Sequence, residues 1–309
     1  MLELRLLALR LVTAAAVALG VSFMVFLLLH LVPGDPVAVM LGEYAGAADS
    51  LALRTRLGLD LPLAEQWWRF LTGLLHGDLG HSLVSGEPVS ALLARHFAYT
   101  ALLTLAALAL AVLIGVPLGV LAALAVGRLW DGVASVLAVL GMSLPSFVLG
   151  PLLIIGFAVK LGWVPISGAT EPAALILPAV TLASGLAAVL ARMSRAALLD
   201  VLQQPYVQAA RARGLSQFVV VLRHACRNAA LPVVTVLGLQ LGALLGGAVV
   251  TETVFSWPGL GVLLVEAIQR RDYPVVQGAV LLTALTYIVV NMLVDMLYLR
   301  LDPRIEASG

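Results

Sequence analysis

The sequence predicts an all-α membrane protein with six transmembrane helices, and three observations carry that prediction. Of the 309 residues, 61% are hydrophobic and only 11% are charged, whereas a soluble domain is about half apolar and about a quarter charged. Six uncharged runs reach or approach the roughly 20 residues that a helix needs to cross a bilayer. They lie at 11–32, 99–126, 132–159, 173–191, 229–251 and 274–294. None alternates with a period of two, the pattern that a membrane β-barrel needs. The single cysteine, Cys226, leaves no internal disulfide and no cysteine-rich metal site.

The first run follows Arg5 and Arg10, as the core of a signal peptide would. It is long for such a core and ends in "HLVPGDP" without a small-residue cleavage site, so it reads as a retained helix. Segment 33–98 follows as the longest polar stretch. Within it, "LPLAEQWWRFLTGLL" at 61–75 sets Leu63, Trp67, Phe70, Leu71 and Leu74 near helical spacing. That stripe fits a helix lying on the membrane surface, or a small external cap with its own core. "HGDLGHS" at 76–82 brings His76, Asp78 and His81 together. Imidazole and carboxylate are metal-ligand types, but beside two glycines they read as a polar turn, and no metal is expected.

The second run covers 99–126. The third is interrupted by Pro145 and Pro151, and "SLPSF" offers the hydroxyls of Ser143 and Ser146 to re-satisfy the freed backbone. A kink there either lines a pore or shapes packing. The fourth run is the shortest. The fifth carries "LGALLGGA" at 241–248, whose small residues allow close helix contact, and Glu252 stands at its end. A charge at mid-bilayer costs about 2.5–3.5 kcal/mol. At the edge of a span the cost is far smaller, and pairing with Arg270 or Arg271 accounts for this one. In the sixth run, Asn291 and Asp295 are one turn apart, and Arg300 follows to stabilise the helix end. The organisation expected is a first span at 1–32, an extracytoplasmic segment at 33–98 and a core of five spans at 99–309.

Placing the N-terminus in the cytoplasm puts eleven of the 18 basic residues, but only six of the 17 acidic ones, on inner segments. Basic residues near spans favour the cytoplasmic side, so both termini and segment 192–228 are expected there. That segment contains "QPYVQAARARGLSQFVVVLRHACRNAALP" at 204–232. Pro205 suits the first position of a helix, and Gly214 suits the left-handed position just past its end. Ala209 and Ala210 between them leave a low-profile face for another protein. Ser216 suits the N-cap of a second helix, "QFVVVLRHACR". Asn228 suits a third start, with Pro232 in the first turn of the fifth span.

"QAARARG" followed by "RHACRNAALP" resembles the EAA loop of bacterial ATP-binding-cassette importer permeases. The resemblance is narrower to the dipeptide/oligopeptide/nickel permease family, in its first-subunit branch. It extends over nearly the whole chain through "LLLHLVPGDPV", "HGDLGHS", "TETVFSWPGLG", "RRDYPVVQ" and "NMLVDMLYLRLDPRI". It implies the type I importer architecture and a bacterial inner-membrane location. It also implies that the loop docks on a separate ATPase, with Gln208, Ala209, Ala210, Arg211, Gly214, Arg223 and Arg227 as the coupling residues. Gln208 stands where the motif's name has glutamate, so no salt bridge is expected there. Pro232 falls later than in the short form of the motif, as in the peptide branch. Glu252, Phe255, Trp257, Pro258 and Gly259 would border the external gate, and Pro145 would line the channel.

The implied partners are a second permease subunit forming a heterodimer, two ATP-binding subunits or one of each of two kinds, an extracytoplasmic substrate-binding protein and the bilayer. No nucleic-acid partner is expected. This chain binds no cofactor of its own; ATP and Mg would sit on the partner subunits. No G-x-x-x-x-G-K occurs and Lys160 is the only lysine, so no ATPase is expected here. Di- or oligopeptides are the first substrate implied, with glutathione, nickel chelates and opines as alternatives. An ion-coupled secondary transporter is the competing class. It usually holds ionisable residues near mid-bilayer, whereas these runs are uncharged, with His30 near one edge. An intramembrane protease would show H-E-x-x-H or G-x-S-x-G on a span, and neither is found.

Overall fold

A computed structural model describes residues 2–31, 37, 50–52, 54–55 and 58–301. Among the described residues the fold is helical, with only an isolated antiparallel bridge between His81 and Pro88. Its helices are α1 (Leu2–Leu31), α2 (Leu63–Leu75), α3 (Val89–Leu124), α4 (Leu129–Ser143) and α5 (Ser146–Leu153). A π turn (Ile154–Lys160) follows α5 and a 3-10 turn (Pro172–Leu175) precedes α6 (Ile176–Leu202). Then come α7 (Pro205–Ala212), α8 (Gln217–Val219), a second π turn (Val220–Ala225), α9 (Cys226–Phe255), α10 (Leu260–Gln269) and α11 (Tyr273–Leu301).

Among the described residues, four stretches are long and apolar enough to cross a membrane: Val89–Leu124, Pro172–Leu202, Gln217–Gly242 and Tyr273–Val294. Two interrupted pairs, Leu129–Ser143 with Ser146–Lys160 and Gly246–Phe255 with Leu260–Gln269, raise the number to as many as six. The run that looked shortest in the sequence becomes a 31-residue stretch, and it is the most buried of the four. Arg192, Arg195 and Asp200 end the apolar run but do not end the helix.

The chain divides into two compact units. The first comprises Met1–Tyr99 with Pro258–Ile288. Its core sets Val89, Leu92 and Leu93 against Leu260, Ala267, Val275, Val276 and Ala279. Gly278 makes this packing close, since a Cβ there would lie 2.9 Å from Val89 Cγ1 and 3.0 Å from Leu93 Cδ1. Helix α2 has no fully buried residue. Trp67 meets Phe23 edge-on, with ring centroids 5.3 Å apart, while Trp68 and Leu75 are exposed. Much of the expected cap, at 33–57, lies outside the described residues.

"HGDLGHS" forms a polar turn. Gly77 and Gly80 take φ 75° and 76°, and the Gly80 N–H donates to Asp78 Oδ1 at 2.8 Å. Among the described residues, no group of three or more His, Cys, Asp or Glu side chains is placed to hold a metal ion. The turn leads to Ser82, whose hydroxyl donates to Asp272 Oδ2 at 2.5 Å. The Leu83 N–H donates to the other carboxylate oxygen at 3.0 Å. Two of the motifs quoted above, 190 residues apart, thus meet at a buried carboxylate.

The second unit comprises Thr100–Trp257 with Val289–Gly309. At its centre α6 packs on α3 and α4 through glycines. A Cβ on Gly115 would come 2.5 Å from the Ala187 carbonyl oxygen, one on Gly119 2.3 Å from that of Ala191, and one on Gly141 3.0 Å from Ala188 Cβ. Within 241–248, Ala248 is buried, but neither Gly246 nor Gly247 sets a close approach. Gly246 has nothing within 4 Å of a would-be Cβ, and Gly247 meets only Leu182 Cδ1, at 3.4 Å. The side chains of Asp295 and Arg300, expected to stabilise the end of the last span, lie outside the described residues.

Candidate functional site

The segment singled out at 204–232 begins two residues beyond α6. Gln204 is extended, at φ −68° and ψ 144°, and Pro205 takes the first helical position. There its missing N–H leaves no bond unmade. Helix α7 turns Val207 and Ala210 inward, where they cluster with Val220 and half-buried Val201 and Leu202. The Gln208 amide donates to the Gln203 carbonyl at 3.2 Å. Gly214 ends the turn at φ 80°, its N–H donating to the Arg211 carbonyl at 2.9 Å. Nothing lies within 4 Å of a would-be Cβ there. The constraint on this glycine is therefore the left-handed backbone, which L-residues other than Gly, Asn and Asp avoid.

Three expectations for this segment are corrected. Ala210 is buried within the chain, so of the alanine pair only Ala209 is exposed. Ser216 precedes α8 with an extended backbone, but its side chain makes no cap hydrogen bond. Asn228 starts no third helix. The chain runs from α8 through the π turn into α9, and Pro232 lies inside that helix. A π turn inserts one residue into the helical register. Here it buries Val220, Val221 and Ala225; Val221 and Ala225 join Ala123, Ala197 and Leu198 in one cluster, and so the helix has no reason to end. Asn228 instead donates to the Tyr206 hydroxyl at 2.6 Å, fastening α7 to the start of α9. The outward surface carries Tyr206, Phe218 and Leu222, at 42%, 75% and 62% exposure. Exposed Arg211, Arg213, Arg223 and Arg227 complete it.

Arg195, two turns before the end of α6, meets Asp131 at the start of α4. Its Nε donates to Oδ1 at 2.7 Å and its Nη2 to Oδ2 at 3.0 Å, a two-point geometry that guanidinium and carboxylate favour. The Gly127 N–H also donates to this carboxylate, at 3.1 Å. Nothing local pointed to the pair, because its partners stand 64 residues apart.

The third span breaks where its proline predicted. Helix α4 and the α5 segment meet at 105°, with Pro145 extended at φ −62° and ψ 145°. Pro151 stays inside α5. No side chain caps the break, so the hydroxyls expected to re-satisfy it do not do so. Leu144 and Ser146, on either side of Pro145, face a cavity shared with α6 and α9.

At the far end of α9, Glu252 is fully buried, and the Thr100 hydroxyl donates to its Oε1 at 2.5 Å. Thr100 is the contact that sequence reading missed. The helix closes as a Schellman motif. Ser256 takes the left-handed conformation at φ 48°, its N–H donates to the Thr253 carbonyl, and the Trp257 N–H donates to that of Glu252 at 2.8 Å. Pro258 follows, and Gly259 caps α10 with an extended backbone. Phe255 and Trp257 are 1% and 3% exposed. Phe255 packs with Ala158 and Leu177 and lies against Gly150, while its carbonyl accepts the Gly168 N–H at 3.0 Å.

A family model for the inner membrane component of binding-protein-dependent transport systems matches residues 115–307, and the model of that component's N-terminal part matches residues 3–106. The glutathione transport system permease protein GsiC of Pectobacterium atrosepticum is 49% identical over 286 residues, covering 93% of this chain and 94% of its own. GsiC of Escherichia coli K12 is 46% identical over the same lengths. Among solved structures, the MetNI methionine ABC transporter in an inward-facing conformation superposes with a TM-score of 0.58 at 24% identity, covering 68% of this chain and 96% of its own. An amino acid ABC transporter with histidines gives 0.52 at 19% identity, covering 70% and 94%. These two share the fold.

Proposed function

Because the chain belongs to the family of inner-membrane components of binding-protein-dependent transport systems, the permeases of ABC importers, we propose that its cargo is glutathione or a peptide of similar size, and that residues 204–228 couple it to a partner ATPase. As a permease subunit it is a transport component and not an enzyme. The cargo reading is supported by relatives that are 46–49% identical over nearly their whole length and are named for glutathione transport. Glutathione is itself a small peptide, so this narrows the expectation of di- or oligopeptides.

The observation that carries the coupling role is the short helix Pro205–Ala212. It stands between two candidate spans, is ended by a left-handed glycine and is flanked by exposed aromatic, aliphatic and arginine side chains. An apolar surface ringed by basic groups suits docking on a protein cleft at the cytoplasmic membrane face. The segment and both termini are accordingly assigned to the cytoplasm, following the arginine asymmetry. The partners are a second permease subunit as a heterodimer, two ATP-binding subunits holding ATP and Mg, and an extracytoplasmic binding protein. Gln208, Ala209, Arg211, Gly214, Arg223 and Arg227 form the coupling segment, with Ala210 supporting it from within. Glu252, Phe255, Trp257, Pro258 and Gly259 shape the external gate as a packed hinge, and Pro145 shapes the channel.

The test is uptake of radiolabelled glutathione into proteoliposomes holding this chain with its partner subunits and binding protein. Wild type accumulates the tripeptide only with ATP. Gly214→Val lowers both uptake and binding-protein-stimulated hydrolysis at matched permease amounts, because a β-branched residue at φ 80° is strained by about 1–3 kcal/mol. Wild-type values for both in this variant would remove the coupling role. Uptake of a nickel chelate or an opine but not of glutathione would move the cargo. Uptake that persists without the ATPase would point to an ion-coupled carrier instead.

A further inference from the structure

The second unit contains a cavity of about 320 Å³ where the broken span meets α6 and α9. Its wall includes Leu144 and Ser146 at the break, Thr181 and Ser184 of α6, and Gln240 and Leu244 of α9. No charged residue lines it. The hydroxyl hydrogens on α6 are already committed within the helix. Thr181 donates to the Leu177 carbonyl and Ser184 to that of Thr181, both at 2.8 Å. Gln240 differs. It is half-buried in a stretch long and apolar enough to span the membrane, and among the described residues its side-chain amide has no hydrogen-bond partner. An amide in hydrocarbon with no partner is strongly disfavoured, so a free one facing a cavity is held for water or for a ligand.

The chemistry of the wall narrows that ligand. A side-chain amide offers a carbonyl acceptor and two N–H donors, the same pair of functions that a peptide group presents. Because the wall is neutral, its contact is with a peptide group, and the charged ends of the cargo keep their water as they pass. The volume lies at the low end of ligand cavities, roughly 300–1,000 Å³, which suits a peptide of two or three residues and not a long one. We infer that Gln240 is a specificity-determining contact in the transport path, hydrogen-bonding a peptide group of the cargo as it passes the Leu144–Pro145 break. This rests on the small-peptide cargo proposed above.

The test uses the assembled importer in proteoliposomes with S-methylglutathione, which cannot consume thiol reagents. Gln240→Leu lowers the peptide carried per ATP hydrolysed at least tenfold, and Gln240→Asn, which keeps the amide, recovers a substantial part. In a Cys226→Ser background, Gln240→Cys reacts with a charged maleimide, and S-methylglutathione with its binding protein slows that reaction several-fold. This labelling reads the cavity even where the leucine variant assembles poorly. An unchanged transport ratio in Gln240→Leu overturns the inference. So does a Gln240→Cys variant that transports but neither labels nor is protected. In both cases wild-type uptake of glutathione continues, and the cargo reading stands. If wild type carries no small peptide at all, the cargo reading fails and this inference fails with it.

Discussion

At the scale of single residues, absent side chains decide the packing. Gly115 and Gly119 face backbone carbonyls of α6, which cannot move aside as a flexible side chain would. Gly119→Leu is therefore expected to cost more than the usual 1–3 kcal/mol of overpacking, seen as a large drop in thermal stability in detergent. Gly246→Ala, with open space around it, is expected to leave the midpoint unchanged. Thr100→Val removes a hydroxyl from the buried Glu252 carboxylate and is expected to destabilise by about 1–3 kcal/mol; the same melting assay checks it. Residue chemistry was legible in the sequence where it is local. Pro205 and Gly214 took the positions that their backbone preferences dictate. It was not legible where a distant partner decides. "GVPLG" at 115–119 and "LGALLGGA" at 241–248 are similarly small, and only the fold shows that Gly115 and Gly119, and not Gly246 or Gly247, meet a neighbouring backbone at close range. Ala209 and Ala210 are likewise neighbours with identical side chains, and Val220 and its cluster bury one of them.

At the scale of elements, the Arg195–Asp131 pair ties α6 to α4 just before α6 leads into the coupling helix. Losing one partner leaves the other charge, together with the Gly127 N–H bond, without its counterpart. Asp131→Asn and Arg195→Gln, alone and together, form a thermodynamic cycle expected to show a coupling energy of about 0.5–3 kcal/mol, measured by denaturation in detergent. The single variants should also lower uptake more than the double variant does. The helices themselves were readable because an apolar run of bilayer length has few other fates. Their interruptions were only partly readable. The proline at 145 announced a break, but neither serine hydroxyl closes it, and a proline alone does not dictate an angle of 105°. The π turn at Val220–Ala225 erased an expected boundary at Asn228, because burying Val221 and Ala225 outweighed the local capping preference.

At the scale of the whole molecule, membrane orientation is the property most open to a direct check. In a Cys226→Ser background, cysteines placed at Ser50 and Ser308 are expected to react with an impermeant maleimide from opposite faces of sealed vesicles. Reaction of both from one face would reverse the assignment built on the arginine asymmetry. The grouping of residues 258–288 with the N-terminal unit could not be read from one sequence, since the Ser82–Asp272 bond closes over 190 residues. The glycine packing of α3 against α6 has a mechanical consequence. Gly115 and Gly119 stand four residues apart and mesh with Ala187 and Ala191, also four apart, like two threads of equal pitch. Sliding one helix along the other would have to skip four residues, about 6 Å at 1.5 Å each, so smaller displacements cannot be absorbed between them. Helix α6 is 27 residues long, about 40 Å at 1.5 Å per residue. A push delivered to the short helix at its end would swing both rods as one stiff lever. A covalent bridge between those two helices is accordingly expected to leave transport undiminished.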